Sequence, residues 1–340
     1  MFRLLGILLT VLFAIATAIA VWPQFFHLEQ TYPFAQLVAA RGLLLVGLLG
    51  VAVVALLLLI ARPLRGFAAS ILIVALLGAA ATGVIGVTRG FGGTALPERT
   101  DSSLRVLTWN TAGEAVSADE IAGQILAQGA DVVALPETTE AVGERIALML
   151  REQGHPMWVH HVQFRPDVPN GPQSWQTTVL VAPELGEYSV IESAKDGSSN
   201  TGSVPSVVLM PVDGDGPTIV AVHAVAPRME EMQQWQSDLQ WIADQCPAGD
   251  FILAGDFNAT VDHMASLGVE GGDMGYCRDV ASRTGNGLSG TWPSSLPALA
   301  GAPIDHVMAS PNWRPTGSVV LEDAGGSDHR ALVVQLEPAG

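Results

Sequence analysis

Cationic side chains are scarce in this chain of 340 residues, where 16 Lys and Arg stand against 33 Asp and Glu for a formal net charge of −17 at pH 7. Nucleic-acid affinity rests largely on Lys and Arg contacts to phosphates, and no two basic residues are adjacent here, so a nucleic-acid partner is disfavoured. Cysteine is nearly absent: Cys246 and Cys277 are the only two, which allows at most one disulfide. No internal repeat is present, which excludes a solenoid or propeller. No serine or cysteine sits in a nucleophile setting beside a histidine, which argues against a covalent intermediate.

What is present is unevenly distributed. Residues 1–93 carry five Arg and one acid, Glu29, and hold three uncharged runs, Leu4 to Val21, Leu43 to Ala61 and Phe67 to Val87. At about 1.5 Å per residue each run crosses a hydrocarbon core of about 30 Å, the first with little to spare. Three transmembrane helices are therefore expected. A cleaved signal peptide is the alternative for the first, since Arg3 precedes an apolar stretch ending Ala18-Ile19-Ala20; that run lacks a helix-breaking end, and in either case the chain after it emerges outside. The short, doubly basic loop Arg62-Pro63-Leu64-Arg65 favours the cytoplasmic face. Arg41 and Arg89 fall on the opposite face and weaken that bias. The even cysteine count is compatible with a bridge in an oxidising compartment, and two free buried thiols are the plain alternative.

A Gly-rich link, Arg89 to Pro97, is expected to free the following domain from the third helix, with a linker over 94–103 and one α/β domain over 104–340. Strand-like runs lie at Leu104 to Leu107, Asp131 to Leu135, Thr178 to Val181, Pro205 to Met210, Thr218 to Val222, Phe251 to Ala254, Val307 to Met308 and Ala331 to Val334. Helical patterns lie at Ser117 to Gln128, Glu140 to Glu152 and Met229 to Gln245. Turn-rich stretches, among them Phe164 to Gln173 and Ser193 to Ser203, separate them. Trp158, Trp175, Trp235, Trp241 and Trp292 read as core or rim packing rather than a base-stacking platform.

Five polar signatures sit at the ends of apolar runs: Thr108-Trp109-Asn110, Leu135-Pro136-Glu137, Gly255-Asp256-Phe257-Asn258, Ile304-Asp305-His306 and Gly326-Ser327-Asp328-His329, with His223 alone between the second and third. Strand exits hold such groups rigidly and leave them open to a ligand. In this order the segments resemble the endonuclease/exonuclease/phosphatase (DNase I-like) superfamily from Leu104 to Leu336. The resemblance implies that the N-terminal three-helix region is followed by a DNase I-like four-layer α/β sandwich, two packed, largely antiparallel sheets flanked by helices.

The chemistry it implies is phosphate-ester hydrolysis by direct attack of water with Mg²⁺ or Mn²⁺. Oxygen ligands suit those ions, so Glu137 and Asn110 are the expected metal ligands, and the family pattern adds Asp328 at or near the metal. His329 is the expected base, with Asp305 holding its tautomer; His223 stabilises developing charge as a phosphate ligand or general acid. Asp256 orients water or assists the leaving group, and Asn258 binds a phosphoryl oxygen. Alternation along a strand would send Asp256 and Asn258 to one face and Phe257 to the core, and would make His306 structural or a rim residue. His155, His160, His161 and His263 match no motif. Three spans before this domain look like a membrane-bound actinobacterial branch of the superfamily that includes teicoplanin-resistance membrane proteins. That likeness implies a multi-pass plasma-membrane protein whose extracytoplasmic site acts on a lipid-linked phosphate. An anchored nuclease, in which Arg228, Arg278, Arg283 and Arg330 cluster, and a non-catalytic envelope module are the rival readings.

Overall fold

The computed structural model describes residues 2–92, 95–168, 171–191, 200–323 and 325–340. Parts of the turn-rich stretches Phe164 to Gln173 and Ser193 to Ser203, and the start of the 94–103 linker, lie outside the described residues. Three apolar helices, α1 (Phe2–Val21), α3 (Arg41–Leu58) and α4 (Arg65–Arg89), are long enough to cross a membrane, with short α2 (Phe34–Ala39) between the first two. They leave Leu4, Ile7, Val53, Leu57 and Leu77 facing outward. A water-soluble surface does not carry apolar residues at this density.

The remaining chain forms two six-stranded sheets. One has the order β11-β12-β1-β2-β4-β3, built from β1 (Leu104–Thr108), β2 (Val132–Pro136), β3 (Trp158–Gln163), β4 (Gln176–Val181), β11 (Trp313–Val320) and β12 (Leu332–Pro338). The other has the order β5-β6-β7-β8-β10-β9, built from β5 (Tyr188–Val190), β6 (Val207–Pro211), β7 (Thr218–His223), β8 (Phe251–Asp256), β9 (Arg278–Asp279) and β10 (Asp305–Ala309). Among the described strands only β1–β2 and β7–β8 pair in parallel, each at the centre of its sheet. Val106, Val132, Ala134, Ile219, Ile252 and Val334 meet between the sheets.

Helices α5 (Ala118–Gln128) and α6 (Glu140–Glu152) cover the first sheet with Ile121, Ile125, Ile146 and Leu150. Each starts at an expected cap, Ser117 accepting from Glu120 N–H and Thr139 from Val142 N–H, and α5 ends at left-handed Gly129. Helix α7 (Met232–Asp244) covers the second sheet with Trp235, Leu239 and Ile242. Cys246 and Cys277 form a disulfide beyond it.

The link after α4 does not free the domain. Gly92 N–H donates to Gly285 O at 2.9 Å, Gly287 N–H to Arg89 O at 2.9 Å and Leu288 N–H to Gly90 O at 3.1 Å. A Cβ on Gly90 would come within 2.1 Å of Gly285 O, and Gly90 has φ +82°. Glycine is there for close approach, not for slack. The contact continues at the buried carboxylate of Asp262, in the short helix α8 (Val261–Met264). Arg89 reaches it with both terminal nitrogens at 2.5 and 2.7 Å, Gln24 Nε2 at 2.6 Å, and Arg41 through Nε. Arg41 also donates to Val21 O at 3.1 Å. The ends of all three long helices thus converge on one side chain of the α/β domain. Next to it, His263 donates from Nε2 to Ala35 O at 2.8 Å and accepts Thr260 N–H on Nδ1 at 2.7 Å.

Candidate active site

Strand directions gather the polar signatures at one end of the sandwich. The parallel pairs deliver Asn110 and Glu137 just past β1 and β2, and His223 and Asp256 at the ends of β7 and β8. Antiparallel β10 places Asp305 opposite Asp256, and β12, antiparallel to β1, follows His329. A Cβ on Gly255 would meet Val222 O at 1.9 Å, so glycine lets β8 lie tight against β7. Glu137 (φ 60°) and Asn258 (φ 46°) hold left-handed backbone. That conformation costs on the order of 1–3 kcal/mol in non-glycine residues and marks positions fixed by their surroundings.

The side chains interlock. His329 Nδ1 lies 2.8 Å from Asp305 Oδ2, and its Nε2 lies 3.8 Å from Asp256 Oδ2. Asn110 Nδ2 donates to Glu137 Oε1 at 3.2 Å and Asp256 Oδ2 at 3.1 Å, while its Oδ1 accepts Ala112 N–H. Asn258 donates to Asp256 from its backbone at 2.8 Å and from Nδ2 at 3.2 Å. His223 Nε2 stands 3.8 Å from Glu137 Oε1. Strand alternation alone does not bring Asn258 to this face, since β8 ends at Asp256; the left-handed turn does, and Phe257 is buried behind it. Asp328 stands apart at the exposed rim, accepting Trp292 Nε1–H at 3.0 Å.

Three supports have no role assigned from sequence: Ser327 and Trp109 stand inside the motifs, and Trp292 reads only as core or rim packing. Ser327 Oγ donates to Asn110 O at 2.7 Å and accepts His329 N–H at 3.0 Å, joining the first signature to the last. Trp109 Nε1 donates to His329 O at 3.0 Å. Trp292 carries the rim contact. His306 is structural, with Nδ1 on Asp279 at 2.8 Å and Nε2 on Ala259 O at 2.9 Å.

The field at the site is negative. Burial, and then the neighbouring Asp305 carboxylate, push the Asp256 carboxyl up to about 7. Burial also raises Glu137, against the hydrogen bond from Asn110. Burial would lower the His329 imidazole, but Asp305 and Asp256 outweigh it and push it up to about 10. His223, with burial and then His329 against its charging, falls to about 3 and is neutral. Asp305 Oδ1 and His223 Nδ1 are buried with no hydrogen-bond partner among the described residues.

Asp256, Asp305 and His329 can direct one ligand atom each to a common point, their donor atoms lying within 4.8 Å of one another. Glu137 and Asn110 adjoin this trio. Clustered oxygen donors with an unsatisfied carboxylate oxygen fit a hard divalent cation.

Two packed mixed sheets flanked by helices, with carboxylates and histidines at one end, define a DNase I-like fold. The chain belongs to the Endonuclease/Exonuclease/phosphatase family, which it matches over residues 107–329. Members of that family are hydrolases of phosphoester bonds and generally depend on a divalent metal. No curated protein matches the chain in sequence. Among solved structures it is similar to an endonuclease/exonuclease/phosphatase from Beutenbergia cavernae DSM 12333, at 20% identity over 70% of this chain and 72% of that one, with a TM-score of 0.53. The human Nocturnin catalytic domain with bound sulfate anion is similar at 17% identity over 72% and 96%, with a TM-score of 0.50. Humanized D. rerio TDP2 is similar at 17% identity over 70% and 100%, with a TM-score of 0.50. These likenesses show the fold.

Proposed function

We propose that this protein is a membrane-anchored, Mg²⁺- or Mn²⁺-dependent phosphohydrolase that acts by direct attack of water on a lipid-linked phosphate outside the cytoplasm. The convergence of Asn110, Glu137, His223, Asp256, Asn258, Asp305 and His329 at one end of the two sheets carries this reading. Glu137, with Asn110 and the Asp256–Asp305 carboxylates beside it, would hold the cation; Asp328, expected at or near the metal, is engaged at the rim with Trp292 and stands outside this set. When bound, the cation neutralises phosphoryl oxygens and lowers the charge barrier to attack.

The chain's own groups do the rest. His329 takes the proton of the attacking water at Nε2, and Asp305 fixes the tautomer through Nδ1 and stabilises the imidazolium. The 3.8 Å gap between Nε2 and Asp256 Oδ2 is too wide for a direct hydrogen bond and suits a shared water. His329 is raised by surrounding carboxylates, so added positive charge among them moves it back toward the range in which it can act as a base near neutral pH. Neutral His223 binds a phosphoryl oxygen as charge builds, while the Asn258 amide, expected in the same role, gives its hydrogens to Ala224 O and Asp256 Oδ2 and so holds the Asp256 carboxylate in place.

Two observations favour a lipid-borne substrate at the outer face. The helix ends Val21, Arg41 and Arg89 converge on the α/β domain, which puts Arg62 and Arg65 at the far ends of α3 and α4, where positive charge favours the cytoplasm. Arg41 and Arg89, which weaken the bias when read from sequence, share the buried carboxylate of Asp262, which offsets one of their two charges. The nuclease reading loses two of the four arginines expected to cluster: Arg330 is buried on the carbonyls of Gly290, Pro293, Ser294 and Leu296, and Arg228 pairs with Glu231. The test is a panel of isoprenyl and alkyl phosphates, sphingomyelin, inositides and DNA with the full-length protein in detergent, with Mg²⁺ or Mn²⁺ and with EDTA. Cation-dependent turnover of a lipid phosphate and none of DNA is expected; turnover of DNA alone would overturn the reading.

A further inference from the structure

A cavity of about 180 Å³ lies where the outer ends of α3 and α4 meet the α/β domain. Val38, Leu45, Val46, Phe91, Leu288 and Leu299 give it apolar walls. The charged groups that also touch it, Arg41, Arg89 and Asp262, are engaged with one another. An apolar cavity of this order of size, about 150 Å³ in the studied case, stays dry and takes up hydrocarbon. Val46 lines it and is 66% exposed on the apolar outer surface of α3, so the cavity opens sideways at the level of the membrane helices.

The cavity also borders the catalytic segments. Thr260 and Pro303 line it, two residues after Asn258 and two before Asp305, a chain distance of at most about 7 Å. The loop that forms its far wall continues to the rim of the site with Trp292, Leu296 and Leu299 exposed at 41%, 39% and 52%. That loop is fastened to the rim: Trp292 Nε1–H donates to the Asp328 carboxylate, and Ser294 N–H donates to Asp328 O at 2.7 Å. Exposed apolar side chains therefore stand along the loop between the far wall of the cavity and the rim of the site.

We propose that this cavity binds the hydrocarbon tail of the substrate, an amphiphilic phosphate drawn from the bilayer, while its phosphate lies among Glu137, His223 and His329. The proposal rests on the lipid-phosphate reading and adds to it a chain-length rule. Each methylene buried multiplies kcat/KM by about fourfold until the cavity is full, after which the gain stops.

The test uses full-length protein and n-alkyl substrates from butyl to dodecyl, below their micelle-forming concentrations, in the headgroup form selected by the panel. Ala39→Phe fills the cavity from the α2 side, and Leu299→Asp puts a charge in its wall. Thermal unfolding identifies any variant that fails to fold. Wild-type kcat/KM is expected to climb with chain length and then level off. Either folded variant should level off at a shorter chain and lose tenfold or more of the long-to-short preference, chiefly through KM. A climb that continues with length and that both variants leave unaltered means simple partitioning into detergent, and it overturns the proposal. Equal turnover of butyl and dodecyl substrates also overturns it while leaving the hydrolase reading intact. No turnover at any length sinks both.

Discussion

Asp256 and Asp262 lie six residues apart, each 1% exposed, in environments that differ in one respect. At Asp262, burial would raise the carboxyl, but Arg89 and Arg41 outweigh it and hold it well below the ordinary value. At Asp256, burial and Asp305 act together, and the carboxyl rises to about 7. The first carboxylate has its cations built into the chain. The second is surrounded by Glu137, Asp305 and His329, and among the described residues no Arg pairs with it. Burying a charge is tolerated only with a partner. A buried acid whose partner is fixed therefore marks structure, whereas a buried acidic cluster without one marks a place for a cation from solution.

The largest expected effect removes the groups that make the second environment work. Glu137→Ala and His329→Ala should each lower kcat by at least about a hundredfold while the domain stays folded, because charge neutralisation and base action belong to the transition state. EDTA should abolish activity, and Mg²⁺ or Mn²⁺ should restore it. Cation at about a hundred times its Kd should also stabilise the protein by roughly 2.7 kcal/mol, readable as a higher unfolding midpoint. Full activity in chelator would erase the contrast between the two aspartates.

Breaking the first environment should cost stability. Asp262→Asn leaves the guanidinium groups of Arg41 and Arg89 packed at the junction without their counter-charge, and removing one partner of a buried pair costs about 3–5 kcal/mol. The expected result is a lower unfolding midpoint in detergent and looser packing of α1, α3 and α4 on the domain, seen as faster proteolysis near residue 90. A midpoint equal to wild type would mean that the arginines find other partners.

The candidate site was readable from sequence because each of its residues stands at one end of a β-like run, and pairing direction does the rest: two central parallel pairs put four exits together, and antiparallel β10 and β12 bring their starts to the same end. The junction was not readable. Gln24, Arg41, Arg89 and Asp262 are single residues in four distant segments, with no period or spacing that links them. The glycines near residue 90 read as slack because glycine serves flexibility and close approach alike, and only the partner Gly285 tells which. Strand β11 escaped notice because Pro315 and Gly317 interrupt it at an irregularity in its pairing with β12, which an edge strand tolerates. In β3 the adjacent His160 and His161 hide the alternation.

The Cys246–Cys277 bridge encloses the segment that carries both aspartates and spans 31 residues. Closing a loop of that length restricts the unfolded chain by about 3–4 kcal/mol. The Cys246→Ala, Cys277→Ala double variant should lose stability of that order, readable by denaturant titration, and affect both environments alike. Mass spectrometry of unreduced, alkylated wild-type protein should show no alkylated cysteine. Two alkylated thiols would remove the bridge and the support it lends to an oxidising location.

The smallest effect concerns pH and separates the junction from the site. Burial lowers His263 to about 4, partly opposed by its hydrogen bond to Ala35 O, and its Nδ1 is committed as an acceptor for Thr260 N–H. The folded protein therefore binds this proton less readily than the unfolded chain, whose imidazole titrates near 6.5. Between those values the unfolded state holds more protons, so stability is full above about 6.5 and falls as pH drops toward about 4. His263→Gln removes this titration and leaves those of His161 and His223, which are lowered in the same sense, in place. Wild type should therefore lose more of its unfolding midpoint between pH 7 and pH 4.5 than the variant does. Equal losses in the two proteins would show that His263 does not couple protonation to the packing of the apolar helices on the α/β domain.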